Sequence, residues 1–433
     1  MTVDMGWFEG AGLGLFVHWD HASQQGVEIS WPLVGRSIVP DEPDALDRVS
    51  IEQYQSSAAS FDPERWDAAA LARLARACGA RYVVLTSRHH AGYSMFHTRH
   101  STFSVERSPY GRDIVREFVE AVRAEGLRVG LYYSLPDWHH PDYPRFEEAD
   151  KPYPRGAYRR PSPEAWERYV AYLKGQVTEL LTNYGTIDLL WFDGEWERTA
   201  EEWHAAELRQ LVRSLQPGTI VNDRLPGQGD YATPEQALPT APPGGPWELC
   251  LTMNRSWGWR PVDANYKPAR RIAQSLAEVA ARGGNLLLNV SPRGDGSLPE
   301  IQVARLKELG AWVASHGESV IGVEPASPAV EFYGPVTQRG SRLYVHLVMR
   351  PADAVVVRGV PVRNIRKVTL LGSEVPLRFQ SNFEVHEPPG GGAVLGEVLI
   401  EAGTPSGALI DVIAIDFHHP LAPAGPARSA PRR

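Results

Sequence analysis

The chain has 433 residues, 43% hydrophobic and 22% charged, with a formal net charge of −8. This is the profile of a soluble globular protein that can bury a core without disulfides and is too long for one ordinary domain. Its Lys and Arg residues are scattered, no stretch approaches the roughly 20 apolar residues of a membrane span, and the start has no signal-peptide pattern, so nucleic-acid and membrane partners are excluded and a cytoplasmic location is expected.

Taken in chain order, short apolar runs alternate with helical patterns. Residues 12–19 read as a strand, 63–78 as a helix, 81–87 as a strand, 112–125 as a helix and 127–134 as a strand. A helix over 163–184, a strand over 187–193 and a helix over 201–215 follow. Shorter strands at 219–222, 248–252 and 285–290 flank a helix over 267–282, and a last helix covers 299–316. The runs are continuously apolar, as in strands covered on both faces. Gly79 and Gly126 stop the first two helices. The alternation predicts a (β/α)8-like, TIM-type barrel over residues 1–322. An open dinucleotide-binding sheet is disfavoured, because no G-x-G-x-x-G follows the first strand. From 323 to 420 the pattern changes to short strands between Gly/Pro turns, at 342–348, 354–357, 367–371, 393–400 and 408–415, which predicts a C-terminal β-sandwich. The Arg/Pro-rich residues 421–433 read as a disordered tail. Cys78 and Cys250 follow no metal-binding spacing and read as buried apolar residues.

Catalytic groups of such barrels sit at the C-terminal strand ends. Here those ends carry His18-Trp19-Asp20, Arg88-His89-His90, Tyr132-Tyr133-Ser134, Asp193-Gly194-Glu195-Trp196 and Asn222-Asp223-Arg224. One polar residue after a strand is an ordinary cap; five such ends converging are a site. Asp193 follows Leu190-Trp191-Phe192 directly, where an ionised carboxylate is costly unless partnered. It is the expected catalytic carboxylate, with Glu195 and Glu197 as runners-up. Glycoside hydrolysis needs a second carboxyl group. Glu235, in a Gly/Pro-rich loop after the fifth strand, reads equally as the acid/base and as a first-turn helix residue after Pro234, and Asp230 and Glu248 are alternatives. Neutral histidines suit sugar hydroxyls. His89 and His90 also admit a metal, but adjacent residues on an extended segment point to opposite sides and H-E-x-x-H is absent, so no metal or other cofactor is expected. His139-His140 reads as a solvated loop pair. Of the 13 tryptophans, Trp19, Trp31, Trp138, Trp191, Trp196, Trp257 and Trp259 are assigned to the rim, and Trp7, Trp66, Trp166 and Trp312 to packing.

The same strand ends resemble the α-L-fucosidases of glycoside hydrolase family 29. The matching pieces are GLFVHW (14–19), RYVVLTSRHHAGY (81–93), GLYYSLPDWHHPDY (130–143), LLWFDGEWE (189–197), VNDR (221–224), WELCLTMNRSWGW (247–259) and GGNLLLNVSPRGDG (283–296), in family order across the barrel. The resemblance implies a metal-free, retaining exo-α-L-fucosidase acting on fucosylated oligosaccharides or glycoconjugates. It implies Asp193 as nucleophile and Glu235, in TPEQ, as acid/base. It also implies His18, His89, His90, Tyr133 and Arg224 as substrate contacts, with Trp31 and Trp257 as pocket aromatics. Departures are His18-Trp19-Asp20 in place of HWG, Ser30-Trp31 in place of Glu-Trp, with Glu28 as a substitute, and Ala91 in place of an acidic residue. A metal-dependent hydrolase and a non-catalytic fucose-binding protein are the rival readings. A homo-oligomer is compatible with the sequence, which fixes neither oligomeric state nor linkage specificity.

Overall fold

A computed structural model describes residues 3–35, 49–144, 146–153, 158–373, 375–383 and 394–422. The barrel strands are β1 (Leu13–Val17), β2 (Tyr82–Arg88), β3 (Arg128–Ser134), β4 (Leu189–Asp193), β5 (Ile220–Val221), β6 (Glu248–Thr252) and β7 (Asn285–Val290). They form one parallel sheet in the order β5-β4-β3-β2-β1-β7-β6. The helices are α1 (Ile51–Ser56), α2 (Ala68–Ala77), α3 (Ile114–Ala124), α4 (Pro163–Thr182), α5 (Ala205–Leu215), α6 (Ala269–Ala280) and α7 (Glu300–His316).

Helix boundaries follow side-chain capping. The carboxylates of Asp67 and Asp113 accept from the N–H groups of Ala70 and Arg116, so α2 and α3 begin just after them rather than at 63 and 112. Ser162 caps α4, which opens on Pro163. The capping box Ser50–Gln53 starts α1, which the sequence pattern did not single out.

The gap between β5 and β6 is filled by an irregular segment. Tyr231 bridges to Asn222, Ala232 to Trp247 and Glu235 to Cys250, all in parallel sense. Backbone bonds from Glu248 N to Ala232 O and from Cys250 N to Pro234 O fasten it. This segment, read from sequence as a loop, is the barrel's eighth stave. The fold is thus a TIM-like barrel, and proteins of known structure described below share it.

Side chains alternate across the sheet. Phe16, Tyr82, Val84, Tyr132, Leu189, Trp191 and Leu287 gather in one apolar cluster inside the barrel. Their neighbours Leu15, Val17, Val83, Leu85, Leu131, Tyr133, Leu190 and Phe192 pack outward with the helices. Cys78 and Cys250 are buried free thiols.

Beyond α7 the chain is antiparallel. β8 (Glu324–Pro325), β9 (Val336–Arg339), β10 (Arg342–Leu347), β11 (Ala354–Val360), β12 (Ile365–Leu370), β13 (Val375–Pro376), β14 (Phe379–Phe383), β15 (Gly396–Glu401) and β16 (Asp411–Phe417) form two sheets. One has the order β13-β12-β16-β10-β9-β8 and the other β11-β15-β14. Leu343, Val345, Val355, Val357, Val398, Ile400, Ile413 and Ile415 pack between them. The larger sheet turns Tyr344, Val412 and Ala414 toward the barrel core, and Trp312 of α7 donates its indole N–H to Ile410 O at 2.9 Å. Ala393, where a strand was expected to begin, and residues 423–433 of the tail lie outside the described residues. Among the described residues no helix is long and apolar enough to cross a membrane.

Candidate active site

Asp193 ends β4 on the inner face, one alternation after Trp191. Gly194 follows at φ 84°, where a Cβ would lie 2.2 Å from Pro136 Cδ; only glycine turns the chain here without displacing Pro136. The Asp193 carboxylate is almost wholly enclosed. Its Oδ1 accepts from Arg224 Nη1 at 2.8 Å and its Oδ2 from the Tyr132 hydroxyl at 2.8 Å. His90 Nε2 stands 3.6 Å from Oδ2. Burial pushes this carboxyl upward, but the Arg224 charge, His90 and the two hydrogen bonds outweigh it and hold the group below the usual carboxylate range.

Arg224 reaches both candidate carboxylates. Its Nη2 donates to Glu235 Oε2 at 2.7 Å, while its guanidinium lies 4.6 Å over the ring of Trp191. Glu235, on the eighth stave, also accepts from Trp257 Nε1 at 3.2 Å. The sequence pattern puts Glu235 in a Gly/Pro-rich loop; its parallel bridge to Cys250 instead fixes it on the barrel wall. The alternatives fall elsewhere. Asp230 is held by Arg209 and Arg213 of α5. Glu248 lies in the barrel interior, accepting from Tyr82 OH at 2.5 Å and from Trp191 Nε1 at 2.8 Å. Glu197 accepts from Trp138 Nε1 and Tyr143 OH.

The three histidines surround this pair. His18 Nδ1 meets Asn289 Oδ1 at 2.7 Å, and Asn289 Nδ2 donates to Trp257 O at 2.8 Å. The second bond fixes the amide orientation, so His18 donates through Nδ1 and presents Nε2 as an acceptor. His89 Nδ1 pairs with Ser30 Oγ at 2.6 Å and His90 Nδ1 with Ser134 Oγ at 2.7 Å. Burial drives His18 down to about 3 and His90 to about 4, and places His89 well below its usual range. All three are neutral at pH 7, as hydroxyl recognition requires. Trp257 lies 4.7 Å from His18, and Trp31 lies 5.9 Å from His90.

Five expectations need correction. Tyr133 is not in the pocket: it points outward, donates to Gln176 Oε1 of α4 at 2.9 Å and lies under the Arg88 guanidinium. The inward-facing tyrosine is Tyr132, stacked on Trp191 and His89. Alternation from Asp193 and its β3 partner Ser134 contains that signal, since Tyr132 shares Ser134's face. His89 and His90 do not diverge. β2 ends at Arg88, so the pair lies in the turn beyond it, rings 4.1 Å apart and both facing inward. Trp19 packs on Trp66 and Phe61 rather than facing the pocket. His139 and His140 are half-buried against Phe103 and Tyr172 rather than solvated. Glu28, the suggested substitute contact, has its two oxygens on the backbone N–H groups of Trp257 and Gly258.

His89, His90 and Asp193 each offer one ligand atom within 4.8 Å of the others. A divalent cation there would face the Arg224 guanidinium, which already compensates Asp193. Two neutral imidazoles and a carboxylate are a set that divalent ions use, but here Asp193 Oδ1 is taken by Arg224, whose positive charge opposes a cation at this point.

The whole barrel matches one protein family. The family model for α-L-fucosidase covers residues 3–318. The chain is 30% identical over 411 residues to tissue α-L-fucosidase of Rattus norvegicus, covering 86% of this chain and 82% of that one. It is 28% identical over 410 residues to an α-L-fucosidase of Dictyostelium discoideum, covering 88% and 86%. Among solved structures, α-L-fucosidase isoenzyme 1 from Paenibacillus thiaminolyticus superposes with a TM-score of 0.82 at 32% identity, over 95% of this chain and 98% of that one. With the barrel matched end to end, the chain belongs to the α-L-fucosidase family.

Proposed function

We propose that the chain hydrolyses terminal α-L-fucosides of oligosaccharides or glycoconjugates with retention of configuration, using Asp193 as nucleophile and Glu235 as acid/base. The observation that carries this reading is the single Arg224 guanidinium bonded to both carboxylates, 2.8 Å from Asp193 and 2.7 Å from Glu235. Two carboxylates on adjacent nitrogens of one guanidinium stand close together, and close spacing is the mark of retaining pairs.

In the first step an Asp193 oxygen attacks the anomeric carbon. The glycosidic C–O bond breaks, and the Glu235 carboxyl delivers its proton to the departing oxygen. The negative charge thereby moves from Asp193, now an ester, to Glu235. Arg224 touches both ends of that transfer, so it stabilises the migrating charge without having to move. In the second step Glu235 takes a proton from water, whose oxygen attacks the anomeric carbon and releases Asp193. His18, His89 and His90 hold hydroxyls of the fucose, and Trp31 and Trp257 receive its apolar faces.

The test is the anomer formed first. Proton NMR of a fucoside hydrolysed by the protein should show α-L-fucose appearing first, with the β anomer growing by mutarotation. Initial β-L-fucose would overturn the retaining mechanism.

A further inference from the structure

The turn after the nucleophile carries two side chains that the mechanism above does not use. It is a short 3-10 helix, Glu195–Glu197, and it is rigidly held. Glu197 points inward onto Trp138 and Tyr143, and Trp203 donates its indole N–H to Glu195 O at 3.0 Å. Trp196 points outward. It is 42% exposed and, among the described residues, the only exposed aromatic of the barrel. It is nevertheless part of the pocket mouth, for its ring meets that of His90 edge-on at 5.5 Å, and His90 stands beside Asp193. An exposed tryptophan on a fixed turn at a pocket rim is placed for a ligand face.

Glu195 is the second unused group. Its Oε2 is shielded from solvent and no protein group donates to it. Burial and the nearby charge of Asp193 push its carboxyl up to about 7, while Arg224 pulls it down. The same two residues that act on the fucose are thus its electrostatic neighbours.

We infer that Trp196 and Glu195 form the subsite for the leaving-group sugar, Trp196 as a platform for the apolar C–H face of a pyranose and Glu195 as hydrogen-bond partner of one of its hydroxyls. The inference rests on the fucosidase reading above and names the side of the pocket that selects what the fucose is attached to. A pyranose fits because it offers an apolar face to the exposed aromatic plane and hydroxyls to the unpartnered carboxyl one residue before it in the turn.

The test compares two donors. α-L-fucosyl fluoride has no sugar leaving group and needs no proton at fluoride; a fucosyl-pyranose disaccharide needs the whole subsite. In Trp196→Ala the ratio of kcat/KM for disaccharide to that for fluoride should fall about tenfold, mainly through KM, as loss of one stacking contact implies. Trp196→Phe should recover most of the ratio, which guards against a folding defect. Glu195→Ala should lower the ratio and Glu195→Gln, which keeps the hydrogen-bonding shape, should restore it. An unchanged ratio in both alanine variants overturns the subsite. Failure of the unaltered protein to hydrolyse the fluoride overturns the fucosidase reading instead, so the two failures are distinct.

Discussion

Adjacent tyrosines on β3 give a sharp test of which face of the strand does the chemistry. Tyr132→Phe removes the hydroxyl that donates to Asp193 Oδ2 at 2.8 Å and that also meets Ser134 Oγ at 2.9 Å. A hydrogen bond to a charged group contributes about 1.5–3 kcal/mol. The same hydroxyl holds the nucleophilic carboxylate in place, and a misaligned reacting atom costs up to about 100-fold, so a loss of roughly 10–100-fold in kcat/KM is expected, corresponding to about 1.4–2.7 kcal/mol. The hydrogen bond also lowers the Asp193 pKa. Removing it raises that pKa, so the acidic limb of the kcat/KM profile should move to higher pH. Tyr133→Phe removes a bond to buried Gln176 on the opposite face. An unpaired buried acceptor costs about 1–3 kcal/mol, so Tm should drop by a few °C, at about 2–4 °C per kcal/mol, with kcat/KM changed less than about threefold. Steady-state kinetics on an aryl α-L-fucoside and a thermal melt decide the matter. If Tyr133→Phe impairs turnover as strongly as Tyr132→Phe, the assignment of inner and outer faces is wrong.

Asp193→Gly should abolish nearly all turnover of an aryl α-L-fucoside while the melt stays cooperative, and azide should then yield the β-L-fucosyl azide; full activity would remove Asp193 from the nucleophile role. Glu235→Ala should recover turnover of an activated aryl fucoside with azide, giving the α-linked azide, whereas little initial loss would point to another carboxylate. Prolonged dialysis against a chelator should leave kcat within about twofold, and loss of activity restored by a metal would favour the His89–His90–Asp193 group as a metal centre. Asp20 is a probe of buried charge: burial pushes it up to about 7, Oδ1 caps Ala22 N–H, and Oδ2 meets no protein donor. Because its folded pKa lies above the unfolded value near 3.9, the folded state binds the extra proton, and stability from this group is lost as pH rises from about 4 to about 7. Asp20→Asn keeps the cap and removes the charge, so it should raise Tm by several °C at pH 8 and little at pH 4.5. An equal change at both pH values would contradict a buried ionisation.

The barrel was legible because its strands are buried on both faces and its helices carry caps and stops. Glu248–Thr252 and Asn285–Val290 fall where the apolar runs place them. β14 was missed because all five of its residues are exposed, so no apolar rhythm marks it. At the site, strand ends showed which segments converge but not which way each side chain turns. Tyr132 and Tyr133 are chemically identical, and only strand parity separates them. His89 and His90 defeat the parity rule because they lie one step past the strand. Glu235 was found by motif; its position as a stave depends on bridges to Asn222 and Cys250 segments that no local pattern encodes.

That eighth stave divides the pocket into two parts of unequal regularity. Tyr132 and Asn289 sit on strands paired into ladders, His18 follows directly on β1, and His89 and His90 follow directly on β2. Glu235 sits on a segment joined by isolated bridges, with the turn-rich stretch 236–246 behind it. Insertions and deletions in that stretch need not shift the register of any ladder. Recognition of the fucose is thereby insulated from change on the leaving-group side, so descendants of such a barrel can trade one linkage for another while the sugar they remove stays the same.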